Sequence, residues 1–221
     1  NENNEVTAVS ISGADERIAC DLLFIAIGVK PNIHFLKESG IVLNDGILVN
    51  EYLETTIKDV YAIGDCAEHY TAKPPRNTID ATWYTGKIMG ATLAQTITGN
   101  KTAYQQNQWY NSAKFFDIEY HTYGTVGSKP YFNNEHFNWN DTKREKSFTI
   151  EYEVKNRTVK GINTLGIQLR QQVVNSWLDE GVSIDYLINH IAQACFHSEF
   201  EKRYFESIQV EFNRLSTGAV N

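Results

Sequence analysis

The stretch Asp59-Val60-Tyr61-Ala62-Ile63-Gly64-Asp65-Cys66-Ala67 runs a short apolar strand into a glycine, a carboxylate and two small residues. Such a turn can present main chain to a ligand that carries both hydroxyls and phosphate. Gly64 permits a positive φ or a close backbone approach. The Asp65 carboxylate accepts hydrogen bonds from sugar-like hydroxyls, and the amides of Cys66 and Ala67 reach a phosphate if a helical turn begins there. Upstream, Leu22-Leu23-Phe24-Ile25-Ala26-Ile27-Gly28-Val29-Lys30-Pro31-Asn32 is an apolar run that ends in Gly-x-x-Pro-Asn.

Taken together, the order, spacing and strand context of these two motifs resemble the second half of the flavin domain in the FAD-dependent pyridine nucleotide-disulfide oxidoreductase-like flavoproteins. The resemblance covers about the first 100 residues. It implies that Asp65 lies on the flavin ribityl chain, with the Cys66 and Ala67 amides toward the phosphate side. It makes Gly28 and Gly64 cofactor-binding glycines, and Ala26-Ile27-Gly28 the return from an NAD domain to an FAD domain. The helix expected after the Gly-Asp turn would face the flavin pyrimidine with its first turn, so Asp80, Ala81, Thr82 and Trp83 become neighbours of the isoalloxazine.

The fold class implied is α/β and α+β: the C-terminal segment of a flavoprotein with two dinucleotide-binding domains, followed by an α+β interface domain. Residues 1–21 would be the tail of an NAD(P)-binding domain, 22–100 the C-terminal segment of the FAD-binding domain, and 101–221 the interface domain. No Gly-x-Gly-x-x-Gly fingerprint occurs, although the family ordinarily carries one for FAD and another for NAD(P). The chain is therefore expected to be the C-terminal part of a longer flavoprotein, lacking the ADP-binding half of the flavin site. The resemblance implies an FAD-dependent NAD(P)H oxidoreductase similar to rubredoxin or ferredoxin reductases and to the flavoprotein portion of NAD(P)H nitrite reductases. FAD and NAD(P)H are its cofactors, and an electron-transfer protein or a small-molecule acceptor its partner. Two rival readings stand beside it: a module for homodimerisation or partner docking that holds no flavin itself, and a disulfide reductase.

Composition narrows the alternatives. With 42% apolar and 21% charged residues in 221, the chain has the make-up of a globular protein. Its net charge of −7 argues against a nucleic-acid partner, which calls for a basic face. No apolar run approaches the roughly 20 residues that span a bilayer. Cys20, Cys66 and Cys195 stand far apart without a Cys-x-x-Cys pair, which fits a reducing cytoplasm.

Along the chain, Val6 to Ser12, a turn at Gly13-Ala14-Asp15 and Arg17 to Asp21 read as a β-hairpin. Leu22 to Ile27, apolar on both faces, suits an inner strand. A short helix is expected around Phe35 and Leu36, a brief strand at Ile47 to Val49, and another strand at Val60 to Ile63. A polar loop from Glu68 to Arg76, with Pro74-Pro75, leads to a helix from about Ile79 to Ile97 that Gly99 stops. After Asn100 the composition turns aromatic. Strands are expected at Lys114 to Tyr120, Ser147 to Val154 and Thr158 to Asn163, all in one antiparallel sheet. Ile184, Leu187, Ile188, Ile191 and Cys195 fall on one helical face, with Ser183 as its cap after Gly181. Ser198 and Glu201 form a capping box for a final short helix.

Other chemistry is weaker. Cys66 is read as a main-chain donor and a small volume rather than a thiol nucleophile. The six histidines form no ligand pair, so no metal site is expected. His197-Ser198-Glu199 lacks the Pro and the spacing of the base motif found in disulfide reductases, so that role is not transferred. The aromatics from Trp109 to Trp139 are expected on inner strand faces rather than on a partner-docking surface, since Phe115, Tyr123 and, beyond that stretch, Phe148 fit sheet propensity.

Overall fold

The computed structural model describes residues 5–13, 16–70, 77–196 and 198–216, with the side chains of 198–203 and 216 excepted. The chain divides into two compact units, 1–32 and 33–221. The first holds the expected hairpin: β1 (Ala8–Ser10) pairs antiparallel with β2 (Arg17–Ala19), Ala8 opposite Ala19. Ala14 and Asp15 of its turn lie outside the described residues. Leu22 to Ile27 is not a strand, and Phe24 and Ile27 are 83% and 91% exposed. An apolar run becomes a strand only when another edge takes its N–H and C=O groups, and none of the described residues offers one.

The second unit has two cores. The smaller gathers Ile47, Val49, Leu53, Ala62, Ala67, Met89, Leu93 and Tyr104. The expected early helix is a single 3-10 turn, His34–Leu36, and the strand at Ile47–Val49 forms as β3. Its partner differs from the expectation. Val60 to Ile63 makes one bridge, Tyr61 to Glu54, and the strand proper, β4 (Ala67–His69), follows the Gly-Asp turn and runs parallel to β3. Glu68 and His69 therefore belong to a buried strand rather than to a polar loop. Glu68 tolerates burial because its carboxylate accepts from Asn44 Nδ2 and the Gly46 amide, both at 2.8 Å. Residues 71–76, with Pro74-Pro75, lie outside the described residues. Helix α1 spans Trp83–Ile97, shorter at its start than expected, and the Thr98 amide closes its end on Ala94 O.

The larger core backs a five-stranded antiparallel sheet of order β5-β6-β9-β8-β7. The strands are β5 (Tyr110–Phe115), β6 (Ile118–Gly124), β7 (Asn134–Asp141), β8 (Lys146–Glu153) and β9 (Val159–Leu165). The segment read as one strand from Lys114 to Tyr120 is a hairpin that turns at Phe116, whose φ is +52°. Register aligns two rows across one face: Tyr110, Tyr123, Ile162, Ile150 and Phe137, then Ser112, His121, Thr164, Phe148 and Trp139. Tyr123 and Phe148 are fully buried as expected, whereas Phe115 sits near the hairpin tip and is exposed.

Three helices are built from the residues that follow the sheet: α2 (Gln171–Glu180), α3 (Ile184–His190) and α4 (Ser198–Ser216). Gly181 ends α2 at φ +64°, and Ser183 Oγ accepts the Tyr186 amide to start α3. Ile184, Leu187, Ile188, Ile191 and Cys195 are all buried, as their spacing requires. α4 is 19 residues long rather than short, because Phe205, Ile208 and Phe212 continue one buried stripe. It packs on β7 through Phe212 against Phe137 and through Ser207 Oγ, which accepts Trp139 Nε1–H at 3.1 Å. The side chains of Ser198 and Glu201, and His197, lie outside what is described.

Glu151 holds the opposite face of β8. It is fully buried and accepts from the Gly127 and Tyr131 amides and Asn134 Nδ2, with His136 Nε2 at 3.1 Å. Burial pushes its carboxyl up, but these hydrogen bonds outweigh burial and hold it below the usual carboxylate range. A carboxyl depressed on folding stabilises the fold above its unfolded value, about 4.3, and that contribution is lost as pH falls through the folded value. Glu151→Ala should cost about 3 kcal/mol or more in urea unfolding at neutral pH, since several buried donors lose their acceptor. Glu151→Gln should lose less stability than wild type on acidification below about pH 4. An unchanged acid slope would show that Glu151 does not carry the effect.

Candidate functional site

The site is built where α1 crosses the Gly-Asp turn. Gly64–Cys66 form a 3-10 turn, with Gly64 at φ +76° and the Ala67 amide donating to Gly64 O. A side chain at Gly64 would be strained in that conformation. The turn is fixed from two sides. From the sheet side, a Cβ on Gly46 would stand 2.8 Å from Cys66 O, so only glycine lets the β3 entry pass this close. From the helix side, a Cβ on Gly86 would stand 3.6 Å from Gly64 Cα, and one on Gly90 3.9 Å from Ile63 Cδ1. One turn of helix separates these two glycines, so they share the face that meets the turn. Between them Met89, fully buried, accepts the Gly64 N–H on Sδ at 3.2 Å.

The first turn of α1 is open to a ligand. Its N-cap, Thr82, makes no side-chain cap bond; its hydroxyl instead lies 2.7 Å from the Thr85 hydroxyl. Gly86 is the first residue to donate back into the helix, to Thr82 O, so the amides of Trp83, Tyr84 and Thr85 have no intrahelical acceptor. No carboxylate stands in that first turn, which leaves the positive end of the helix dipole uncompensated there. Trp83 is 70% exposed, with Lys87 Nζ 5.2 Å from its ring centre.

The structure thus brings Gly64, Asp65 and Cys66 against the helix that carries Thr82 and Trp83. Asp65 is exposed, as a ligand for hydroxyls must be, and Cys66 is half-buried with Sγ 3.6 Å from Ile63 O. Ala67 plays another part: it is fully buried, and its amide is engaged by the turn rather than offered to a phosphate. Gly28 lies in the first unit with φ +90°. Asp80 precedes the helix and is buried, accepting from Gln106 Nε2 at 3.1 Å. Sequence reasoning missed Gly46, Gly86, Gly90 and Met89. Spacing alone offered one signal, the Gly-x-x-x-Gly pair inside an otherwise good helix, where glycine is costly unless something approaches closely.

Comparison with known proteins gives the same frame. Residues 1–97 match the family model described as Pyridine nucleotide-disulphide oxidoreductase. The nitrite reductase [NAD(P)H] of Bacillus subtilis is 50% identical over 52 residues, 24% of this chain and 6% of that protein. NADH-rubredoxin oxidoreductase of Clostridium acetobutylicum is 49% identical over 57 residues, 26% of this chain and 15% of the relative. Rubredoxin-NAD(+) reductase of Acinetobacter baylyi is 38% identical over 97 residues, 43% and 22% of the two chains. A solved FAD-dependent pyridine nucleotide-disulphide oxidoreductase from Desulfovibrio vulgaris superposes over 97% of this chain and 53% of its own with TM-score 0.67 at 17% identity, a likeness of fold. The similarity to the pyridine nucleotide-disulphide oxidoreductase family is carried by residues 1–97. The chain spans less than a quarter of the length of these three curated relatives.

Gly46→Ala should force the Cys66 carbonyl aside and lower stability by roughly 1–3 kcal/mol, read as a drop in the thermal midpoint. An alanine variant that melts with the wild type would show that the β3 entry does not fix the turn.

Proposed function

We propose that this chain is the C-terminal part of an FAD-dependent NAD(P)H oxidoreductase that passes electrons to a small electron-transfer protein or a small-molecule acceptor. The observation that carries the reading is the apposition of the Gly64-Asp65 turn to an uncapped helix start, within a segment of matching family. Residues 1–21 are assigned to the tail of an NAD(P)-binding domain, 22–100 to the FAD-binding domain and 101–221 to an interface domain. Among the described residues no helix is long and apolar enough to cross a membrane.

The donor set fits a flavin. Asp65 would accept from the ribityl hydroxyls, while Gly64 and Cys66 would let main chain approach the cofactor; Gly28, in the first unit, is assigned to cofactor binding on the family resemblance of its own segment. The Trp83 to Thr85 amides, with the positive end of α1, would meet the electron-rich edge of the ring. Ala67 supports the turn from beneath. Bound flavin would supply the acceptance of a hydride from nicotinamide and its release as electrons. The protein's part is to hold the ring, orient it and bias its charge.

A reading as an interaction module is favoured by Phe115 and Phe116, which stand 62% and 99% exposed at the β5–β6 turn. Flavin in the purified full-length protein decides for the first reading, and a colourless stable dimer for the second. In the full-length protein Asp65→Ala should weaken flavin binding by more than about tenfold, since a charged acceptor of a ligand hydroxyl contributes roughly 1.5–3 kcal/mol. Unchanged affinity, measured by flavin release on dilution, removes Asp65 from the site. Replacing Cys20, Cys66 and Cys195 together by Ser should leave NAD(P)H-to-dye electron transfer largely intact, because no two of the three form a disulfide. Collapse of turnover with flavin retained would favour a disulfide reductase.

A further inference from the structure

A polar chain leads from solvent to the first turn of α1. Glu119, half exposed on β6, places Oε2 3.5 Å from His121 Nε2, and the His121 side chain is only 5% exposed. On the other side of the ring, His121 Nδ1 lies 3.2 Å from the Tyr110 hydroxyl. The Tyr110 ring packs edge-on against the Tyr84 ring, their centroids 4.7 Å apart, and the Tyr84 hydroxyl lies 2.9 Å from Ser112 Oγ. Tyr84 is the second residue of α1, directly after Trp83. Register explains the arrangement, because Ser112 stands opposite His121 and Tyr110 opposite Tyr123, which puts Tyr110, Ser112 and His121 on the core-facing side at the sheet edge. Tyr84, Tyr110, Ser112, Glu119, His121 and Gln168 line a cavity of about 330 Å³.

Plain packing explains this cluster poorly. His121 Nε2 has no well-aligned hydrogen-bond partner among the described residues, a cost of about 1–3 kcal/mol for a buried polar atom. A core-facing position opposite Thr164, in the same row as Phe148, would more cheaply hold an apolar residue.

We propose that Glu119, His121 and Tyr110 form a side-chain relay that moves protons between solvent and Tyr84, at the helix start assigned above to the flavin edge. The proposal rests on that assignment for its destination. The stoichiometry requires such a supply, because a hydride from NAD(P)H brings two electrons and one proton, and full reduction of a flavin takes one proton more. In each transfer the Glu119 carboxylate takes a hydronium proton from solvent, and the Glu119 O–H bond breaks as His121 Nε2–H forms. The Nδ1–H bond then breaks as the Tyr110 oxygen takes that proton and the original Tyr110 O–H bond breaks toward the Ser112–Tyr84 hydroxyl pair, which gives up one proton at the Tyr84 end; the protons of the ring and hydroxyls reorient to the starting tautomer before the next transfer. No electron moves within the relay. Burial lowers the His121 pKa and the Glu119 carboxylate opposes it, so the ring is neutral at rest and accepts a proton when Glu119 carries one. Besides Glu119, the groups around the ring are Tyr110 and Tyr123, with Tyr84 and Lys114 further along the cavity.

Two measurements test this. Imidazole nitrogen NMR of the protein should show the His121 tautomer shifting in both Tyr110→Phe and Tyr84→Phe, and the His121 midpoint falling in Glu119→Gln. His121 resonances indifferent to Tyr84→Phe would break the chain and overturn the relay. In the flavin-loaded full-length protein, His121→Phe should slow proton uptake, followed with a pH indicator, by ~10-fold or more while flavin bleaching by NADH keeps its rate, and added imidazole should restore uptake. Normal uptake with flavin bound overturns the relay alone. Failure of the full-length protein to bind flavin overturns the functional assignment, and the relay's destination with it.

Discussion

The contact between α1 and the Gly-Asp turn joins a close backbone approach at Gly86 to one buried side chain, Met89, and the small core is arranged around that contact. Gly86 and Gly90 let the helix lie along Gly64 and Ile63, where a Cβ would make ordinary van der Waals contact at 3.6 and 3.9 Å. The tight constraint is Gly46, where β3 enters beside Cys66 with no room for a Cβ. A side chain added at Gly46 moves the turn, and the turn sets where Asp65 stands relative to the helix start. The remaining parts of the small core maintain the squeeze. Asn50 Oδ1 accepts the Tyr52 and Glu54 amides, which holds Leu53 at φ +66° with its side chain fully buried, and Leu53 O receives the Ala62 amide just ahead of the turn. A non-glycine residue in the left-handed region costs roughly 1 kcal/mol or more, and here a side-chain-made turn and a filled core offset it.

The sheet that follows obeys a different economy. Its two buried rows alternate with an outer face where Glu151 gathers the 127–134 segment. Arg157 clamps Asp185 with two bonds, at 2.6 and 2.9 Å, tying the β8–β9 turn to the start of α3. These features give the C-terminal portion a core of its own, so the site's neighbour at Tyr84 and Ser112 is a rigid edge rather than a loop.

What the sequence disclosed follows from range. The turn at Gly64, the strand at Ile47, the Ser183 cap and the Gly181 stop depend on residues a few positions apart, and they could be read directly. Leu22 to Ile27 looked like an inner strand because apolar composition is local while pairing is not. Glu68 looked like a loop residue because its polar character is local while the partners that make its burial tolerable, Asn44 and Gly46, come from more than twenty positions away. The length of α4 was legible in Phe205, Ile208 and Phe212 but was masked by its charged exterior. Of the site, the residues facing a ligand were readable from motif, whereas those that press the turn into place were not, since a glycine in a helix reports nothing about what approaches it.

Met89 is the one methionine in the chain, and its sulfur is enclosed at the junction of helix and turn. Oxidising it requires the helix to lift from Gly64, and a sulfoxide could not be reseated in that space without displacing its neighbours. The thioether is therefore a built-in clock. Under dilute peroxide the rate at which a single oxygen atom is added to the intact protein measures how often this junction opens, and a ligand held across it would slow the clock by the amount it holds the junction shut.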